Sequence, residues 1–184
     1  MLIKSQGEVH DLKVGYLYEL LEIIDMKLLK INECISKSTS SNLDEFFERG
    51  EYFIGIGFVA IQQHLNESLI GMGLKQVDAY SLGVKLPTGI SCIWIINAAA
   101  NWWKHEPEWH NSEYFKKKDI SKDGKKSAEK ILAISSLTEY ALSNVLASFS
   151  ESQELSFIKN IVPYIEQWTK EVFANRVKAS HEKS

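Results

Sequence analysis

Residues 9–35 read VHDLKVGYLYELLEIIDMKLLKINECI. Within them Leu17, Leu20, Leu21, Ile24, Leu28 and Ile31 recur at the i, i+3, i+4, i+7 spacing of a core-facing stripe, which predicts an amphipathic helix from about Val9 to Ile35. Apolar residues keep helical spacing through most of the remaining chain, and only three prolines interrupt it. This pattern predicts an all-α fold class, a helical bundle of about five helices.

Working outward from that helix, Ser36 to Asn42 is a polar run that buries little and supplies cap residues for a second helix. That helix is predicted from near Leu43 through Leu69, with Gly50, Gly55 and Gly57 inside it. Each glycine costs about 1 kcal/mol relative to alanine in a helix interior, so three of them point to close helix packing. From Gly71 to Thr88 the period dissolves among Gly71, Gly73, Gly83 and Pro87, which predicts a long connection containing a short helical turn. Thr88 is the expected cap of a third helix, Gly89 to His105, ending before Pro107. Asn111 to Lys126, with KKK at 116–118 and KDGKK at 122–126, reads as a solvated basic loop. Two further helices are expected over about Ala128 to Phe149 and Gln153 to Val177, the second carrying Pro163 as a source of a kink.

The 184 residues are 45% hydrophobic and 24% charged, the composition of one globular domain spanning residues 1–184. The net charge of −3 excludes a bulk electrostatic pull onto nucleic acid, so any RNA contact has to be local. Cys34 and Cys92 match neither a disulfide framework nor a zinc spacing. No signal-peptide core precedes Val14, and the apolar stretches Phe53 to Ile61 and Ile90 to Ile96 are too short to span a membrane. A cytoplasmic protein without membrane partners is expected.

Residues 93–110, IWIINAAANWWKHEPEWH, carry the densest chemistry. On a helix Asn97, Asn101 and His105 stand at i, i+4, i+8 and form a polar ridge on an otherwise apolar element. Such a ridge is exposed, hydrogen-bonded or lining a site, because burying it without partners is costly. Trp102, Trp103 and Trp109 have two readings: platforms on which bases stack, or packing residues of a core or an interface. His105, Glu106, Glu108 and His110 have the composition of a metal cluster, but Pro107 breaks the spacing that ligands on one helix need, so neither metal nor cofactor is expected. His64, after Gln62 and Gln63 on an apolar helix, reads as a hydrogen-bonded core or interface residue.

NWWKHEPEW at 101–109 resembles the Asn-aromatic-aromatic-Lys-His signature of bacterial proteins distantly related to the HEPN superfamily, and GFVAIQQHL at 57–65 resembles their second helix. That resemblance implies a helical bundle, frequently a homodimer, and in many members a metal-independent endoribonuclease of toxin–antitoxin or phage-defence systems, with RNA and an antitoxin protein as partners. It assigns the motif's polar position to Asn101 and its histidine to His105, while the arginine position falls on Ala100. His105 would then act as general acid or base, Asn101 would orient it or touch substrate, and Lys104 or Arg49 would supply the missing charge. Asn97, Trp102, Trp103 and Trp109 would contact the RNA. Three readings stay open: a ribonuclease that manages without its arginine, a non-catalytic helical module that binds RNA or a partner protein, and a helical protein of unrelated function. A second Arg-x4-His, Arg176 and His181, lies near the C-terminus with Val177 in the polar position.

Overall fold

The computed structural model describes residues 2–5, 8–11, 13–38, 43–109, 122–135, 139–151 and 154–181. It is an all-α bundle preceded by a small antiparallel hairpin, β1 (Leu2–Ser5) and β2 (Glu8–Asp11), paired from Leu2 with Asp11 to Ser5 with Glu8. The hairpin takes residues expected to open the first helix, so α1 runs over Val14–Lys37 and starts five residues later than its period predicts. Its inward stripe is Leu17, Leu21, Ile24, Leu28 and Ile31, all buried, whereas Leu20 is 38% exposed.

The long helix α2 (Leu43–Met72) forms the spine against which α1 and α4 (Cys92–Trp109) pack. Close approach is what its glycines provide. A Cβ on Gly55 would stand inside the indole of Trp103, and one on Gly57 would collide with the ring of Phe157. Gly50 meets only Ile31, at ordinary contact distance, so two of the three glycines carry the packing expected of them.

After α2 the chain makes the short helix α3 (Gln76–Tyr80), then a bridge between Lys85 and Ser91 closed around Gly89, whose φ of 79° is open to glycine at little cost. Ser91, not Thr88, caps α4: its hydroxyl accepts from the Trp94 amide at 3.2 Å and donates to the Tyr80 carbonyl. The helix also passes through Pro107 to Trp109, because a proline removes a single i→i−4 donor and this one falls in the final turn.

Of the expected basic loop, residues 111–121 lie outside the described residues. Lys122 to Lys126 instead open α5 (Lys122–Leu132). The single helix expected over Ala128 to Phe149 is two, α5 and α6 (Ala141–Ala147), separated by Tyr140 in the left-handed region at φ 51°. The last helix is likewise split into α7 (Phe157–Asn160) and α8 (Val162–His181), so Pro163 stands in the first turn of a helix, where its missing N–H is harmless.

Two acidic side chains from the long helices cap these short ones. Glu51 of α2 accepts from the Leu142 and Ser143 amides at 2.6 and 2.9 Å and from the Ser143 hydroxyl at 2.6 Å. Asp25 of α1 accepts from the Phe157 and Ile158 amides at 2.8 and 3.0 Å and from the Ser156 hydroxyl at 2.6 Å. Each places a carboxylate on the orphan donors of a helix start, where the dipole favours it. The core joins all the α-elements around Phe58, Tyr80, Ile96, Phe157 and Trp168.

Candidate functional site

Helical geometry separates the polar residues of α4 more finely than an i, i+4, i+8 count suggests. At about 100° per residue, Asn101 lies about 40° and Lys104 about 20° from Asn97 on either side, whereas His105 has drifted about 80° away. The polar stripe is therefore Asn97, Asn101 and Lys104. All three converge on one side chain of α2, Gln62.

Gln62 is buried and uses both ends of its amide. Its Nε2 donates to Asn97 Oδ1 at 2.8 Å and to Asn101 Oδ1 at 3.0 Å, while its Oε1 accepts from Lys104 Nζ at 2.7 Å. Gln76 of α3 reaches Asn97 Oδ1 at 3.5 Å, and Asn101 Nδ2 donates to Ser127 Oγ of α5 at 3.3 Å. Partial burial pushes the Lys104 ammonium below the usual lysine value. A buried amide cluster of this kind holds α2, α3, α4 and α5 in register.

The cluster is the wall of a cleft of about 580 Å³, lined by Gln62, Gln76, Trp94, Asn97, Asn101 and, on α5, by Lys126, Ser127 and Lys130. Its volume lies in the range of small-molecule and nucleotide sites. Asn97 is only 7% exposed, and among the described residues its Nδ2 has no hydrogen-bond acceptor, so it offers two donors to the cleft. On the rim Lys130 Nζ sits 5.4 Å from the centroid of the Trp94 ring, and Lys126 Nζ pairs with Asp123 at 3.2 Å. Burial and the neighbouring Lys126 charge both push the Lys130 ammonium down. The cleft thus offers amide donors and acceptors, an indole, two ammonium groups and the Asp123 carboxylate that pairs with one of them within one concavity.

The remaining expected site residues fall elsewhere. His105 is exposed, about 80° round α4 from Asn97, and is not among the residues that line the cleft. Trp102 is 2% exposed within the core, so it offers no face to a base. Trp103 is half-buried against Gly55 and makes an edge-to-face contact with Tyr52 at 5.7 Å. These two tryptophans take the packing alternative. Side chains at 106–110 and that of His181 lie outside the described residues, so Trp109 and the Arg176/His181 pair are not placed against the cleft. His64 is buried on α2, as its apolar surroundings imply. Ala100, at the motif's arginine position, is fully buried in the core, and Arg49 stands 13 residues before Gln62, about 20 Å along α2.

Gln62, Gln76, Trp94, Ser127, Lys126 and Lys130 are the site residues that sequence reasoning missed. Helical spacing relates residues on one element, and these come from four. Among the described residues no three His, Cys, Asp or Glu side chains are grouped as metal ligands would be, and no helix is long and apolar enough to cross a membrane. No family model, curated protein or solved structure matches this chain.

Proposed function

We propose that this chain is a HEPN-like helical module of the degenerate kind, which holds single-stranded RNA in the cleft between α4 and α5 without cutting it. The observation that carries this reading is the division of labour on α4. Asn101 spends its amide on Gln62 and Ser127 in the cleft wall, while His105, one turn further on and exposed, does not line the cleft. A general acid or base needs its orienting partner and the scissile phosphate within hydrogen-bond reach. Here Asn101 is committed to the cleft wall, His105 one turn on is absent from the cleft lining, and the position of the motif's arginine is buried in the core.

Binding needs less. Lys126 and Lys130 supply cations for the phosphates, and the Trp94 indole and the amides of Asn97 and Gln76 suit a base and its edge. Helix α5 carries Lys122, Lys125, Lys126 and Lys130 against Asp123 and Glu129, a local positive excess on a chain of net charge −3.

The test is a labelled RNA pool, tRNA included, offered to wild type and His105→Ala with and without EDTA, beside anisotropy measurements on a fluorescent single-stranded oligonucleotide. The expected result is saturable binding at low salt with no His105-dependent cleavage. Cyclic-phosphate ends that vanish in His105→Ala and survive EDTA would replace this reading with the ribonuclease. Absence of binding at low salt would remove RNA as the ligand.

A further inference from the structure

The hydrogen bonds behind the cleft run in one direction, and Lys104 sets it. An ammonium only donates, so the Gln62 amide turns its Oε1 to Lys104 Nζ, 2.7 Å away, and its Nε2 to the other side. There Nε2 meets the Oδ1 atoms of Asn97 at 2.8 Å and Asn101 at 3.0 Å, and Gln76 Nε2 gives Asn97 Oδ1 a second donor at 3.5 Å. Both asparagines therefore engage their oxygens within the cluster and turn their Nδ2 groups away from Gln62. Asn101 Nδ2 donates to Ser127 Oγ at 3.3 Å, which leaves the Ser127 hydroxyl its own proton to give. Among the described residues that proton has no acceptor and neither has Asn97 Nδ2, although both residues are more than nine-tenths buried.

The buried floor of the cleft is thus made of donors, Asn97 Nδ2 and the Ser127 hydroxyl, with the ammonium groups of Lys126 and Lys130 beside them. Acceptors on the lining belong to exposed residues, Gln76 and Asp123, and the Asp123 carboxylate is paired with Lys126. Buried donors left unmatched cost free energy, so the ligand that fits turns acceptors toward them. An asparagine with both ends of its amide available reads adenine, taking the amino hydrogen on its oxygen and giving a hydrogen to N7. Asn97 has its oxygen engaged twice, so an adenine amino group would set N–H against N–H. A 6-oxopurine carries acceptors at both O6 and N7, and that edge matches the floor.

We infer that the floor of the cleft selects the O6/N7 edge of a 6-oxopurine, guanine or hypoxanthine, over the corresponding edge of adenine, with Lys104 as the positioning residue that keeps its donors outward. The inference rests on the cleft being the surface that takes a base of the bound strand. It adds a preference to that reading, because a stacking indole and a pair of lysines do not tell one purine from another.

The test is calorimetric titration of the full chain with inosine and adenosine monophosphates, which differ only at the 6-position and the adjoining ring nitrogen. Beside it runs anisotropy of a fluorescent oligouridine carrying one inosine or one adenosine. The inosine form is expected to bind about tenfold or more tighter in the titration, and in the same order within the strand. Lys104→Met, at an exposed position, should keep the helical circular dichroism spectrum and bring that ratio close to one, whereas Lys104→Arg, which also only donates, should preserve it. Asn97→Asp, which puts an acceptor where the donors stand, should reverse it. A ratio near one in wild type, or no binding of either nucleotide in either assay, would overturn the inference, and a preference untouched by Lys104→Met would overturn the positioning role. A strand that binds without preference would leave the RNA reading standing alone. A preference among mononucleotides with no strand binding would do the opposite, keeping the 6-oxopurine site and removing RNA.

Discussion

Gly55 of α2 lies under the indole of Trp103 of α4 so closely that no side chain fits between them. The contact sets the distance between the two helices that carry Gln62 and its partners. Gly55→Ala has to push the indole or the helix aside, and overpacking of this kind costs about 1 to 3 kcal/mol. Urea denaturation should show that loss. Gly71, near the end of the same helix with open space around its Cα, is the control: Gly71→Ala should be neutral or stabilising by less than about 1 kcal/mol, since only helix propensity changes.

Glu51 and Asp25 hold short helices that would not persist alone, because α6 has seven residues and α7 four. Removing either carboxylate strands backbone amides at a helix start. Glu51→Ala and Asp25→Ala should each lose about 1 to 3 kcal/mol. The melting temperature should fall in both. Native-state hydrogen exchange should locate the first loss at Leu142 and Ser143 and the second at Phe157 and Ile158, and exchange unchanged at those amides would refute the capping assignment.

These two contacts also mark where reading the chain stops. The inward stripe of α1 and the polar stripe of α4 were legible because both are relations within one helix, governed by a fixed 3.6-residue period. His105 was grouped with Asn97 and Asn101 because an i+8 step looks periodic until its drift is counted, and Lys104, at i+7, proves to be the true third member. Gln62 carries no mark of its own, since its partners lie 35 to 42 residues away. The breaks at Tyr140 and Ile161 were invisible for a similar reason: the short helices beside them are capped by carboxylates at least 91 residues distant. The N-terminal hairpin was missed by extending the period of α1 upstream past Lys13, although Gly7 between two short runs was a signal for it.

Cys92 is 1% exposed, and burial pushes its thiol up to about 11 from an ordinary value of 9.0. The folded state therefore keeps this proton while the unfolded chain releases it. The associated stability is complete below pH 9 and is lost as pH rises from 9 toward 11, with a limit of about 3 kcal/mol if the whole shift is expressed. Tyr80 and Tyr164 are shifted in the same direction, so the diagnostic quantity is a difference. The gap in stability between wild type and Cys92→Ala should narrow between pH 9 and 11, and a gap independent of pH would refute the assignment. Exposed Cys34 should meanwhile react with iodoacetamide in the native protein while Cys92 reacts only on unfolding.

Binding measurements separate the cleft from the motif histidine. If phosphates sit on Lys126 and Lys130, each contact contributes about 0.7 to the slope of log affinity against log salt for a single strand. Lys126→Gln/Lys130→Gln should therefore weaken binding at low salt and flatten that slope by about 1.4. Trp94→Ala should cost about 1 to 3 kcal/mol of affinity if the indole stacks a base, with the slope unchanged. His105→Ala, outside the cleft lining, should leave both affinity and slope where they are. The reverse pattern, sensitivity to His105 and indifference to the two lysines, would move the binding surface off the cleft and onto the exposed side of α4.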